Sequence, residues 1–320
     1  MSIRHGLLRV PRRIQTAAGV LLTTGLAVMA VGGVMLPRWL APRAERASAS
    51  LAEAQAAAAG IWRASAGAIA AARGVSTSEA LIGPELTPLV TTIGEIEAKR
   101  VSVSPAWADV FVRELHGAGL RSGDVVAASF SGSFPGINLA VMGACQALDI
   151  RLVAVSSVTA SSFGASEPGF TWPEMEARLA GAGILRQATV AVSAGGEGDR
   201  ALDLDEAGRA MARRIARESA RRLRARLIDP ADFDEAVRAR LDAFDEARGG
   251  RPLAAFVNVG GTQASLGLSP AILKVRNGWL EREPFDASPG RGLVARMVEA
   301  GVPVLHVLNV RDLALRWGIL

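Results

Sequence analysis

Ser131, Gly132, Ser133 and Pro135 are the residues of this chain best placed to do chemistry. They stand between an apolar run and an apolar helical segment in DVVAASFSGSFPGINLAVMGACQAL (124–148). That order puts two hydroxyls and a glycine in front of a helix N-terminus, where unpaired N–H groups and a partial positive charge hold anions. Similar Gly/Ser-rich stretches follow three later apolar runs: SSVTASSFGAS (156–166), SAGGEGD (193–199) and VGGTQASLG (259–267). They add Ser161, Ser162, Gly195, Gly196, Gly260, Gly261 and Thr262 as donors, with Asn258 just ahead of the last. Glycine lets backbone N–H groups come close to a ligand, and serine and threonine add hydroxyls. The same composition also marks ordinary tight turns. Almost all positive charge is arginine, and the only lysines are Lys99 and Lys274. An ammonium and a guanidinium do different chemistry, so both lysines join the candidate binding set.

A nucleophilic site is the alternative. Ser131 or Ser133 at a strand-to-helix turn, then Asp199, then His306 follow the Ser…Asp…His order of α/β-hydrolases. The local motif is G-S-F-P-G rather than G-x-S-x-G, a serine at a helix start is usually a cap, and a histidine in an apolar strand is usually a hydrogen-bonded core residue. Other chemistries lack their residues. There is no G-x-G-x-x-G followed by an acidic residue for a dinucleotide, and no G-K-[ST] for a nucleotide phosphate. One cysteine, Cys145, and three scattered histidines make no zinc-type cluster and no intrachain disulfide. Cys145 falls on the apolar face of a helix and reads as a small core residue. No cofactor and no metal are expected.

The elements that must position these residues alternate. Apolar runs at Val125–Ser129, Leu152–Ser156, Thr189–Ser193, Ala255–Val259 and Pro303–Leu308 read as strands covered on both faces. Helices lie between them, one opened by a Thr171–Glu174 capping box and one by Pro135 at its first turn. Short helices are expected at Glu95–Arg100 and Pro105–Ala118. This alternation predicts an α/β domain over 81–320 with a mostly parallel, doubly wound sheet, whose strand-end loops line a ligand crevice. The alanine-rich stretch ahead of it predicts a helical stalk over 37–80. Asp205–Leu227 predicts a helix carrying eight arginines, either a solvated face or a basic surface for a polyanion.

Ala17–Leu36 carries no charge over about 20 residues, the length a helix needs to cross a bilayer. Residues 1–16 form a basic head with Arg4, Arg9, Arg12 and Arg13. This pattern predicts a single-pass transmembrane helix over 17–36 in the plasma (inner) membrane, with the N-terminus cytoplasmic and the main domain extracytoplasmic. A cleaved signal peptide is the rival, but the apolar run is long for one. Tyrosine is absent and aromatics are 5% of the chain, which argues against a base-stacking surface. An extracytoplasmic body has no nucleic acid to bind.

Five segments taken together carry a family resemblance: ALIGPELTPLVTTIGEIEAKR (80–100), GDVVAASFSGSFPGINLAVMGA (123–144), SSFGASEPGFTWPEME (161–176), SAGGEGD (193–199) and NVGGTQASLG (258–267). They resemble the poly-gamma-glutamate system proteins, which are encoded beside the enzymes that make poly-γ-glutamate in some bacteria. Departures from the family pattern are Ser166 where an asparagine is expected and Glu174 where an aspartate often stands. The resemblance implies a membrane-anchored accessory protein of poly-γ-glutamate synthesis or export, with the polymer or its synthase complex as partner. It carries no catalytic residue set. Each γ-glutamyl unit bears a carboxylate, which the Gly/Ser loops, Lys99 and Lys274 would bind. In the serine-hydrolase alternative, the substrate is a γ-glutamyl amide bond.

Overall fold

The computed structural model describes residues 50–280 and 290–320. Ala17–Leu36 and the basic head before it lie outside the described residues. Among the described residues, no helix is long and apolar enough to cross a membrane. The compact unit over Glu53–Leu320 is an α/β fold around a seven-stranded sheet.

Its strands are β2 (Val125–Phe130), β3 (Arg151–Ser157), β5 (Ala191–Ser193), β6 (Arg226–Ile228), β7 (Leu253–Val259), β8 (Gly278–Leu280) and β9 (Val304–Val307). Their order across the sheet is β6-β5-β3-β2-β7-β9-β8, and all pairings are parallel except β8 with β9. The chain winds outward from β2 to β6, returns across the sheet, and continues from β7 on the other side of β2. The β2/β7 seam is therefore the topological switch point, where an open parallel sheet leaves a crevice at its strand ends. A second pairing, β1 (Val90–Thr92) with β4 (Ala160–Ser161), stands beside that edge.

Both faces of the sheet are covered, which is why the strands read as unbroken apolar runs. Val125 and Ala127 of β2 and Val153 and Val155 of β3 pack with Val237 and Phe244 of α7 (Phe233–Arg248) and Val294 and Met297 of α9 (Leu293–Glu299). The alternate residues face α4 (Pro135–Ala147), α5 (Trp172–Gly181) and α6 (Glu206–Leu223); Phe130 meets Trp172 edge-on, their ring centroids 6.0 Å apart. Burying each such large side chain contributes about 1.5–3 kcal/mol. The Thr171–Glu174 capping box is present at α5. Cys145 is a buried core residue whose thiol burial pushes up to about 12.

Two expectations are corrected. The stalk expected over 37–80 does not stand free in its described part: the helix α1 (50–73) buries Ala58, Trp62, Ala66 and Ile69, and Trp62 Nε1 donates to Gly136 O of α4 at 2.8 Å. Alanine at these positions lets two helices approach closely. The helix expected over Asp205–Leu227 ends at Leu223, because Arg224 turns left-handed (φ 55°) and Arg226–Ile228 pairs with β5 as the edge strand β6. Arg213 of α6 pairs with Asp229 and Arg214 with Glu218, as on a solvated face.

Candidate functional site

The four Gly/Ser loops converge. A crevice of about 550 Å³ sits over the strand ends, lined by Ser131 and Ser133 after β2, Thr159 and Ser161 after β3, Gly196 and Glu197 after β5, and Gly261 and Thr262 after β7. Thr91–Glu95 and Lys99 close it from the side of α2 (Ile96–Ser102). The volume is that of a small-molecule cleft.

Neither serine of the opening motif caps α4. Its N-cap is Phe134, which makes no side-chain cap bond. Ser131 Oγ accepts from Ser133 N at 3.2 Å, and Ser133 Oγ accepts from Ser161 N at 3.1 Å. Asn138, one turn into α4, holds Ser131 O at 2.9 Å. The loop is thus fixed by its own hydroxyls and faces the crevice. Gly260 follows β7 at φ 83°, and a Cβ there would overlap Ser131 Oγ. Only glycine allows the β2 and β7 loops to meet.

Lys99 is the charged centre of the site. It is 2% exposed. Its Nζ donates to Ser133 O and, at 2.7 Å, to Ser161 Oγ, and lies 4.2 Å from the Phe134 ring centroid. No carboxylate among the described residues pairs with it. Desolvation outweighs these contacts and lowers its pKa to about 7 from the usual 10.5. Glu95, Glu197 and Asp203 also line the crevice; Glu95 pairs with Arg311 at 3.4 Å, and Asp203 Oδ1 accepts from Glu197 N at 3.1 Å. The site carries a lysine amine at one wall and carboxylates around its rim.

The triad is not assembled. Register sets His306 of β9 beside Asn258 of β7, and Asn258 Nδ2 lies 3.1 Å from His306 Nδ1. Burial lowers the His306 pKa to about 4. Asp199 is turned away from the crevice, its carboxylate held by Arg240 of α7. Ser131 and Ser133 are in the crevice without a histidine. Among the proposed binding residues, Lys99, Ser131, Ser133, Ser161, Gly196, Gly261 and Thr262 line it. Gly132, Gly195 and Gly260 shape the loops behind it: a Cβ on Gly132 would crowd Thr159 O, and one on Gly195 would crowd Thr159 Oγ1. Ser162 is buried, its N donating to Thr92 O at 2.9 Å, and Asn258 Nδ2 ties back to Gly260 O at 2.9 Å. Lys274 lies in an exposed 3-10 turn outside the crevice, because the β7 loop continues through α8 (Gln263–Leu266) before reaching it.

Sequence reasoning missed Arg240. Its guanidinium donates to Ser129 Oγ at 3.1 Å, Ser157 Oγ at 2.8 Å and Ser193 Oγ at 2.7 Å, one serine from each of β2, β3 and β5, besides Asp199. It stitches the crevice floor from beneath. The signal was present: three strands predicted to be buried carry Ser129, Ser157 and Ser193 at or just after their ends, and buried hydroxyls require partners. Glu176, also buried, lies under β3 with Thr189 and Ser156 rather than in the crevice, and burial raises its pKa to about 7.

Compared with known proteins, the chain matches no family model, no curated protein and no solved structure.

Proposed function

We propose that this protein is a membrane-anchored accessory component of poly-γ-glutamate synthesis or export. In this reading it holds a γ-glutamyl chain in the crevice over the β2/β7 seam. The observation that carries the reading is Lys99, a buried amine with no carboxylate partner among the described residues, walled by Ser131, Ser133 and Ser161. A carboxylate brought against this amine favours its protonated form, supplying the partner that burial alone denies it. The segments that resemble poly-gamma-glutamate system proteins supply the loops around it, and that resemblance names the anion. The rim sets a polarity: a carboxylate goes toward Lys99, and amide N–H groups or a terminal ammonium go toward Glu197 and Asp203. The anchor is Ala17–Leu36.

The test is equilibrium binding of a γ-linked oligoglutamate to the full chain, with an α-linked oligomer of equal length as control. The γ-linked form is expected to bind more tightly, and Lys99→Met to weaken it at least about tenfold, the loss of one charge-assisted hydrogen bond. No binding at millimolar ligand, or equal binding by Lys99→Met, overturns the reading.

A further inference from the structure

Lys99 and Ser161 stand in a relationship that anion binding does not require. The amine touches a hydroxyl at 2.7 Å, within proton-transfer reach, and both groups line the crevice. Ser161 is only partly buried, so its oxygen is open to a ligand, whereas Lys99 is 2% exposed. The amine is fixed by Ser133 O and by the Phe134 ring, and the serine by the β1–β4 pairing that sets Thr92 opposite it. A nucleophile, a base within hydrogen-bond reach and a third group that orients the base form the constellation of covalent catalysis, and lysine serves as the base in some such sites.

We propose that Ser161 and Lys99 are a serine–lysine dyad that transfers the acyl group of a γ-glutamyl amide. The identity of that substrate rests on the function proposed above; the dyad itself rests on the geometry. Neutral Lys99 Nζ takes the Ser161 proton as Oγ bonds to the amide carbonyl carbon. The lysine then gives that proton to the amide nitrogen as the C–N bond breaks and the amine leaves. Water, or an incoming amine, enters next. It loses a proton to the same Nζ while attacking the Ser161 ester, and the ester oxygen takes that proton back as the acyl group departs. Ser133 Oγ accepts from Ser161 N and donates in no hydrogen bond among the described residues, which leaves its proton for the oxygen that becomes negative.

The base must be neutral, so the dyad acts with the scissile amide, not a carboxylate of the chain, against Lys99; burial leaves a large neutral fraction near physiological pH by lowering the Lys99 pKa to about 7. The titratable groups around it are few. On its own segment are Glu95, Glu97 and Arg100; α10 (Val310–Arg316) brings Arg311, Asp312 and Arg316; α4 brings only Cys145; Glu197 and Asp203 stand on the rim. Glu95 pairs with Arg311, Glu97 with Arg100 and Asp312 with Arg316, so none of these carboxylates is committed to the lysine.

The experiment treats the full chain with a fluorophosphonate probe between pH 6 and 9, maps the adduct by mass spectrometry, and separately follows the length of a γ-linked oligoglutamate. The expected result is an adduct on Ser161 whose rate of formation rises through about pH 7 and falls at least 100-fold in Lys99→Met, no adduct at this position in Ser161→Ala, and shortening of the oligomer by the wild-type chain. Circular dichroism of each variant guards against loss of fold. Binding of the γ-linked oligomer with no Ser161 adduct at any pH overturns the dyad and leaves the binding function standing. An adduct on Ser161 with no binding or turnover of the oligomer upholds the dyad and overturns the γ-glutamyl substrate. An adduct formed equally by Lys99→Met removes the lysine's role and overturns the proposal.

Discussion

Arg240 Nε and Nη2 each donate to a different oxygen of Asp199 at 2.8 Å, with both side chains fully withdrawn from solvent. The pair neutralises itself, and the serines of three strands complete the guanidinium's hydrogen bonds. Arg240→Met strands a buried carboxylate and is expected to cost about 3–5 kcal/mol of stability by urea denaturation. The double variant Arg240→Met/Asp199→Leu is expected to be less damaged than Arg240→Met alone. A loss below about 1 kcal/mol for the single variant would contradict this account of the crevice floor.

The buried Lys99 makes stability pH-dependent with a definite sign. Its folded pKa, about 7, lies below the usual 10.5. Between these values the unfolded chain binds a proton that the folded chain does not, so folding is favoured as pH rises. The lysine's contribution to stability is expected to rise by about 1 kcal/mol per pH unit from pH 7.5 to 9.5. Denaturation of wild type and Lys99→Met across that range checks this, because the variant lacks the slope.

Glu176 carries the opposite sign. Its folded pKa is raised to about 7 by burial, from the ordinary 4.5. Here the folded chain holds the extra proton, so stability present below pH 4.5 is lost as pH rises through 7. Glu176→Gln, which mimics the protonated form, should match wild type near pH 4 and gain on it by on the order of 1 kcal/mol per pH unit between about pH 5 and 7. Equal pH dependence of the two proteins would exclude the assignment.

Gly260→Ala places a Cβ against Ser131 Oγ at a φ of 83° that L-residues rarely adopt. A melting-temperature loss of several degrees is expected, matching about 1–3 kcal/mol of strain. Gly250→Ala is the control. It has a similar positive φ of 77° but nothing within 4 Å of the added atom, and it should lose less.

Much of the crevice was legible in the sequence because it is made of loops that follow buried strands, and both the strands and the glycines leave local marks. Ser131, Ser161, Gly196 and Thr262 could be placed on one edge by that logic alone. The strand order could not, since nothing local says that Leu253–Val259 crosses the sheet to lie beside β2. The same blindness produced the triad: Ser131, Asp199 and His306 keep the right chain order, yet register and Arg240 carry two of them elsewhere. β6 and β8, three residues each, are too short for a period to show. Lys99 was noticeable only as one of two lysines. Its role depends on α2, a helix outside the main alternation, delivering it to Ser161.

The seam between β2 and β7 also has a consequence in time. A ribosome that has released the first 250 residues has supplied β2, β3, β5 and β6, which lie next to one another and can pair at once. The opposite wall, with Gly261 and Thr262, does not yet exist, and β7 must then close against a strand about 128 residues earlier, Val125 with Leu253. An incomplete chain therefore offers half a groove, and a crevice closed across the seam reports that synthesis of the protein has run past β7.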